Sequence, residues 1–188
     1  MDDRLNQIIE PLNERFDGFK WKRYLTLLII LVLAVIFFRR YSVVIGLMVA
    51  TGVVSWATSE LSLRWTGIEA ATLTTVLVAV AFGPVYGAVI GFLTIVLQMM
   101  AGGYIGMYML WVVPSYAIAG FLVGSMATGG IVQTGIYTIV GLQAVFSLFT
   151  LALSPGRIGK YLPYAVGNVI FNVLAFQMLA PMILAAMA

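Results

Sequence analysis

The feature that most constrains this 188-residue chain is an uncharged stretch: no Asp, Glu, Lys or Arg occurs between Glu69 and Arg157. Only 9% of all residues are charged, whereas a typical soluble domain has about 25%. Most of the charged residues lie within residues 2–23. An uncharged run of this length holds several membrane crossings of about 20 residues each. The sequence therefore predicts an all-α, polytopic membrane protein.

The residue types that are absent limit the chemistry. The chain has no histidine and no cysteine, and its last aspartate is Asp17. A His-ligated haem, a histidine zinc site, a thiolate cluster and a Ser-His dyad are therefore excluded. So few acid–base groups predict a protein that binds or moves something, not an enzyme, and one without a cofactor or metal. The basic residues flank apolar segments, where they set topology, so no nucleic-acid partner is expected.

Three segments are expected along the chain. Residues 1–23 place apolar residues at helical intervals between charges, which fits an amphipathic segment on the membrane surface or a solvated tail. Residues 24–40 contain a short apolar run that either spans the membrane or dips into it. Residues 42–188 are expected to form a six-helix transmembrane bundle, with spans near 42–61, 68–82, 85–101, 105–127, 130–153 and 162–187.

The pair Gly83-Pro84 separates two of these spans. The run from Gly67 to Gly103 is too long for a single crossing at about 1.5 Å per residue, and proline fits the first turn of a new helix. Because successive spans alternate in direction, Gly83-Pro84 and residues 127–130 are expected at the same membrane face.

Glycines recur at a spacing of four on two spans. Gly87 and Gly91 share one helix face, and Gly120 and Gly124 repeat the spacing further along the chain. In lipid, small residues that allow close backbone approach drive helix association. Packing between helices is the favoured interpretation of all four glycines, and a docking surface for a partner subunit is the second.

Polar side chains are expected at the opposite membrane face. An amide in hydrocarbon needs hydrogen-bond partners, so such residues line a cavity or join helices. Several of them at one end favour a pocket for a solute. The candidate substrate-binding residues are Gln98, Tyr108, Trp111, Tyr164, Asn168 and Asn172. Glu60 and Glu69 are expected at the membrane interface, where a carboxylate stays hydrated.

Three stretches resemble a known family. AFGPVYGAVIGFLTIVLQ (81–98), PSYAIAGFLVGSM (114–126) and YAVGNVIFNVLAFQMLAPMI (164–183) are similar to helices of the substrate-binding S components of energy-coupling factor (ECF) transporters. The similarity covers roughly residues 42–188. The chain departs from the family in its short loop, 62–67, where the family has a longer lid, and in its extra apolar segment 24–38.

The resemblance implies a plasma-membrane protein that binds a small molecule near the extracellular ends of its helices. It also implies a shared transmembrane coupling subunit and separate ABC-type ATPases as partners. In the family, small residues on the first helix contact the coupling subunit, and by position Gly46 and Ala50 resemble that small-x-x-x-small contact.

Three functions follow from these observations. The favoured hypothesis is the solute-binding subunit of an ECF-type transporter that takes up a small, mostly neutral molecule. The first alternative is a membrane scaffold similar to the rod-shape-determining proteins, which would need no polar pocket. The second is a channel or ion carrier that relies on Glu60 and Glu69, and the expected hydration of both carboxylates disfavours it.

Overall fold

The computed structural model describes residues 18–126 and 129–188, and the chain divides into two compact units, Met1–Arg39 and Arg40–Ala188. In the first unit, helix α1 runs over Gly18–Phe37. Its side chains from Tyr24 to Leu33 are exposed. Most of the expected amphipathic segment lies outside the described residues.

Seven further α-helices and two 3-10 turns, Arg64–Thr66 and Pro155–Arg157, follow in the described residues, which contain no strand. The all-α prediction is therefore confirmed. The helices are α2 (Arg39–Glu60), α3 (Ala71–Phe82), α4 (Pro84–Gly102), α5 (Met109–Met126), α6 (Ile131–Leu153), α7 (Ile158–Met178) and α8 (Ala180–Met187).

The prediction of a multi-pass membrane protein is also confirmed, but the number of spans needs correction. Within the described residues, four helices are long and apolar enough to cross a membrane, namely α2, α4, α5 and α6. The last predicted span is a pair of helices, α7 and α8, bent by 52°. Pro181, in the first turn of α8, cannot donate a backbone hydrogen bond, which accounts for the break.

Helix α3 is shorter than the expected span at 68–82. Its 12 residues reach only about 18 Å at 1.5 Å per residue, less than the hydrocarbon thickness of about 30 Å. Every residue from Ala71 to Ala79 is buried, and α3 contacts each of α4 to α8. The protein itself therefore surrounds α3, which explains why this helix is apolar on all sides.

Contacts identify one end of the second unit. Gly83, between α3 and α4, has a φ of +92°, which favours glycine. A Cβ added at Gly124, near the end of α5, would lie 2.5 Å from the Pro84 Cα. At this same end the Arg40 guanidinium donates hydrogen bonds to the carbonyls of Ala81 and Met187. The start of α2 and the ends of α3, α5 and α8 therefore meet there.

The glycine stripe lies between α4 and α5. A Cβ at Gly87 would be 2.5 Å from the carbonyl oxygen of Gly120, and one at Gly91 would be 2.6 Å from that of Tyr116. No side chain fits in these gaps, so the two backbones touch. The glycines of α4 and α5 therefore pack against each other within the chain, and Gly87, Gly91 and Gly120 are not exposed to a partner subunit.

Candidate functional site

A buried carboxylate lies at the other end of the second unit. Glu69, in the loop before α3, is only 3% exposed. Its Oε1 accepts hydrogen bonds from the Thr72 hydroxyl at 2.7 Å and from the Tyr116 hydroxyl at 2.8 Å. Its Oε2 accepts one from the Gln98 Nε2 at 2.9 Å. Donors from α3, α4 and α5 thus converge on a single side chain.

The network extends from Gln98 towards α2. The Ser55 hydroxyl donates to the Gln98 carbonyl oxygen at 2.6 Å and lies 2.7 Å from the Tyr104 hydroxyl. Burial raises the pKa of Tyr104, and it raises the pKa of Tyr108 to about 12. Both phenols are therefore protonated at neutral pH and can act as donors.

A second network joins α6, α7 and the loop before α3. The Asn168 Nδ2 donates to the Gly67 carbonyl oxygen at 2.7 Å, and the Asn168 Oδ1 accepts from the Gln143 Nε2 at 2.7 Å. The Tyr161 hydroxyl donates to the Gln143 Oε1 at 2.5 Å. Gly67 is two residues from Glu69, so the loop connects both networks. We call the two networks together the polar band: Ser55, Glu69, Thr72, Gln98, Tyr104, Tyr116, Gln143, Tyr161, Asn168 and Asn172.

Asn172 lies one turn beyond Asn168 and is fully buried. Its Nδ2 donates to the Asn168 carbonyl oxygen at 3.0 Å, a bond within α7. Three buried polar atoms have no hydrogen-bond partner among the described residues: the Asn172 Oδ1, the Gln98 Oε1 and the Thr94 Oγ1. A buried polar group without a partner costs free energy, and an ordered water or a bound molecule at these atoms would restore a hydrogen bond.

The three predicted aromatic residues lie in different surroundings. Tyr164 is on α7, with its ring 5.7 Å from that of Tyr161, so it borders the polar band. The Tyr108 hydroxyl donates to the Tyr104 carbonyl oxygen in the loop before α5. Trp111 stacks on Phe149 at 6.0 Å and lines an apolar groove of about 780 Å³ between α5 and α6. Trp111 therefore lies in this groove and not in the polar band.

The expectation that both membrane carboxylates are hydrated is wrong for Glu69. Glu60 is exposed, as expected, but Glu69 is enclosed by helices because its loop lies against α7. Gly67 allows this arrangement: its φ is +71°, and a Cβ there would lie 2.8 Å from the Asn168 Cα. The expected hydration of Glu69 therefore no longer argues against an ionic role for this residue.

Besides Glu69, six members of the band were not among the candidate binding residues from the sequence: Ser55, Thr72, Tyr104, Tyr116, Gln143 and Tyr161. One signal was present: Thr72 follows Glu69 by three residues, and such a spacing can bring two side chains to the same helix face. Another was Tyr116, a phenol in the middle of an apolar helix, which needs a hydrogen-bond partner when it is buried.

Gly46 and Ala50 lie on an exposed face of α2. A Cβ added at Gly46 would have no heavy atom within 4 Å. Unlike the glycines of α4 and α5, these two positions therefore remain accessible from outside the second unit.

The band offers hydrogen-bond chemistry and one carboxylate. Hydroxyls and amides supply both donors and acceptors, while the described residues contain no group of three or more His, Cys, Asp or Glu side chains able to hold a metal ion. Such a set is suited to recognising a polar solute. No protein-family model, no curated protein and no solved structure matches the chain.

Proposed function

We propose that this multi-pass membrane protein is the solute-binding subunit of an ECF-type uptake system in the plasma membrane, without a catalytic step of its own. The observation that supports the proposal is the polar band: ten polar side chains from six helices and two loops meet at one end of an otherwise apolar protein. Burying polar groups costs free energy, and a scaffold has no need of so many. A binding role gives them a purpose.

The energy for uptake would come from separate ABC-type ATPases, coupled through a transmembrane subunit. The exposed face of α2 with Gly46 and Ala50 suits that contact, because small residues allow two transmembrane helices to approach closely. The glycines of α4 and α5 already pack within the chain, so α2 is the better candidate for the contact with the coupling subunit.

The test is co-purification of the full-length protein from its native membrane in a mild detergent, with mass spectrometry of the bound proteins. We expect a pair of ABC-type ATPases and one further membrane subunit. Gly46→Leu should remove all three, because a larger side chain separates the helices. Gly141→Leu is the matched control, since Gly141 is also an exposed helical glycine with nothing within 4 Å of an added Cβ.

If ATPases are absent from the wild-type preparation, the ECF assignment fails. If Gly141→Leu removes them and Gly46→Leu does not, the contact lies at the groove between α5 and α6, and the assignment of the α2 face is wrong.

A further inference from the structure

Glu69 is a buried carboxylate, and the described residues that donate hydrogen bonds to it are all neutral. Its three hydrogen-bond donors are Thr72, Gln98 and Tyr116. Among the residues that the structure describes, no Lys or Arg pairs with it. A buried carboxylate is costly unless it is paired with a positive charge or fully hydrogen-bonded. One bound cation would therefore compensate the charge of the Glu69 carboxylate.

The nearest basic residue along the chain is engaged elsewhere. The Arg64 guanidinium donates to the Gly102 carbonyl oxygen at 2.5 Å and lies 5.2 Å from the centre of the Tyr104 ring. Arg64 is itself exposed. It does not neutralise Glu69 in this arrangement, so the described part of the chain supplies no cation to the carboxylate, and a bound molecule would supply one.

Gln98 provides an independent indication. Its side chain is only 3% exposed, its Nε2 is bound to Glu69, and its Oε1 has no partner among the described residues. Because the two amide atoms share one carbon, this free acceptor lies beside the carboxylate. From the described residues Glu69 Oε2 accepts one hydrogen bond, although a carboxylate oxygen can accept two. Two adjacent acceptors therefore lack donors.

The open acceptors indicate what kind of cation fits. Ca²⁺ and Mg²⁺ take six or more oxygen ligands, and the described residues provide no group of three acidic, histidine or cysteine side chains that could hold these or other metal ions. A primary ammonium group is compact, singly charged and has three N–H donors. It could donate to Glu69 Oε2 and Gln98 Oε1 at once.

We propose that Glu69 and Gln98 bind the protonated primary amine of the transported solute. The inference rests on the proposed function for the view that the polar band admits a solute, and it replaces the expectation of a mostly neutral molecule with a cationic one.

The probe is methylammonium, added to the full-length protein in nanodiscs at constant ionic strength. We expect a saturable rise in melting temperature, because a ligand that binds only the folded state stabilises it. Tetramethylammonium, which has the same charge but no N–H donor, should give no such rise, and neither should the neutral acetamide. A rise with sodium chloride equal to that with methylammonium would mean a metal-ion site and would overturn the proposal.

Variants identify the residues. Glu69→Gln should weaken methylammonium binding by about tenfold or more, because the variant loses the charge-assisted hydrogen bond to the ammonium group. Glu60→Gln is the matched control, the same change at an exposed glutamate, and should bind normally. Gln98→Met removes the free acceptor and should also weaken binding. If Glu69→Gln does not fold, Gln98→Met decides: unchanged affinity in that variant overturns the proposal.

The two proposals can fail separately. If methylammonium binding depends on Glu69 but no ATPases co-purify with the protein, the amine site is supported and the ECF assignment is contradicted. If ATPases co-purify but methylammonium does not change the melting temperature, the ECF assignment is supported and the amine site is contradicted.

Discussion

The side-chain amide of Asn168 donates a 2.7 Å hydrogen bond to the carbonyl oxygen of Gly67, 101 residues earlier in the chain. This bond attaches the loop before α3 to α7. The same asparagine accepts from Gln143 on α6. The position of Glu69, two residues after Gly67, therefore depends on an amide that joins three parts of the second unit.

Asn168→Leu should destabilise the protein more than Asn172→Leu. The first change removes the partners of the Gln143 Nε2 and of the Gly67 carbonyl oxygen, at a cost of about 1–3 kcal/mol for each buried group. The second removes a bond within α7 together with an acceptor that has no partner. Melting temperature and solute binding should be measured on the same preparations. Equal losses of stability would contradict this division, and normal solute binding by both variants would contradict the predicted pocket.

Gly67→Ala should cost more stability than Gly103→Ala. Both glycines have a left-handed backbone, with φ of +71° and +65°, so alanine costs each about 1–2 kcal/mol. Only at Gly67 would the new Cβ also meet the backbone of Tyr164 and Asn168; at Gly103 the nearest atom is 3.9 Å away. Thermal unfolding in detergent measures the difference, and equal melting temperatures would show that the loop can move away from α7.

Gly120→Ala should reduce the yield of folded protein, whereas Gly141→Ala should not. A Cβ at Gly120 would overlap the Gly87 carbonyl and force α4 and α5 apart, while Gly141 has open space around it. Overpacking of this kind costs about 1–3 kcal/mol. The measurement is the monodisperse fraction after size-exclusion chromatography. If the two variants behave alike, α4 and α5 do not depend on backbone contact.

Cysteine labelling should place Val85 and Gly130 on one side of the membrane and Lys160 on the other. The chain has no native cysteine, so each single-cysteine variant reports one position. Gly124 packs on Gly83 and Pro84, which puts the starts of α4 and α6 at the same end, and α7 begins one span later. An impermeant thiol reagent applied to intact cells makes the test. Labelling of 85 and 130 from opposite sides would contradict the topology.

Several features followed from the sequence alone because they depend on local or solvent properties. The uncharged run after Glu69 required a membrane, since no other solvent tolerates so much apolar surface. Gly83-Pro84 had to interrupt a helix because proline lacks the amide hydrogen and glycine accepts a positive φ. The spacing of Gly87 and Gly91 predicted a face for close packing, and the structure supplied Gly120 and Tyr116 as its partners.

Only the tertiary structure decided the state of Glu69. Its neighbours along the chain gave no sign of burial, because Gln98 and Tyr116, two of its three donors, come from helices distant in sequence. The same holds for α3. Local sequence determines the length of this helix, but the surrounding helices shield it from lipid. A carboxylate's hydration depends on what covers it, and the covering groups are chosen by packing over the whole second unit, which no short stretch of sequence contains.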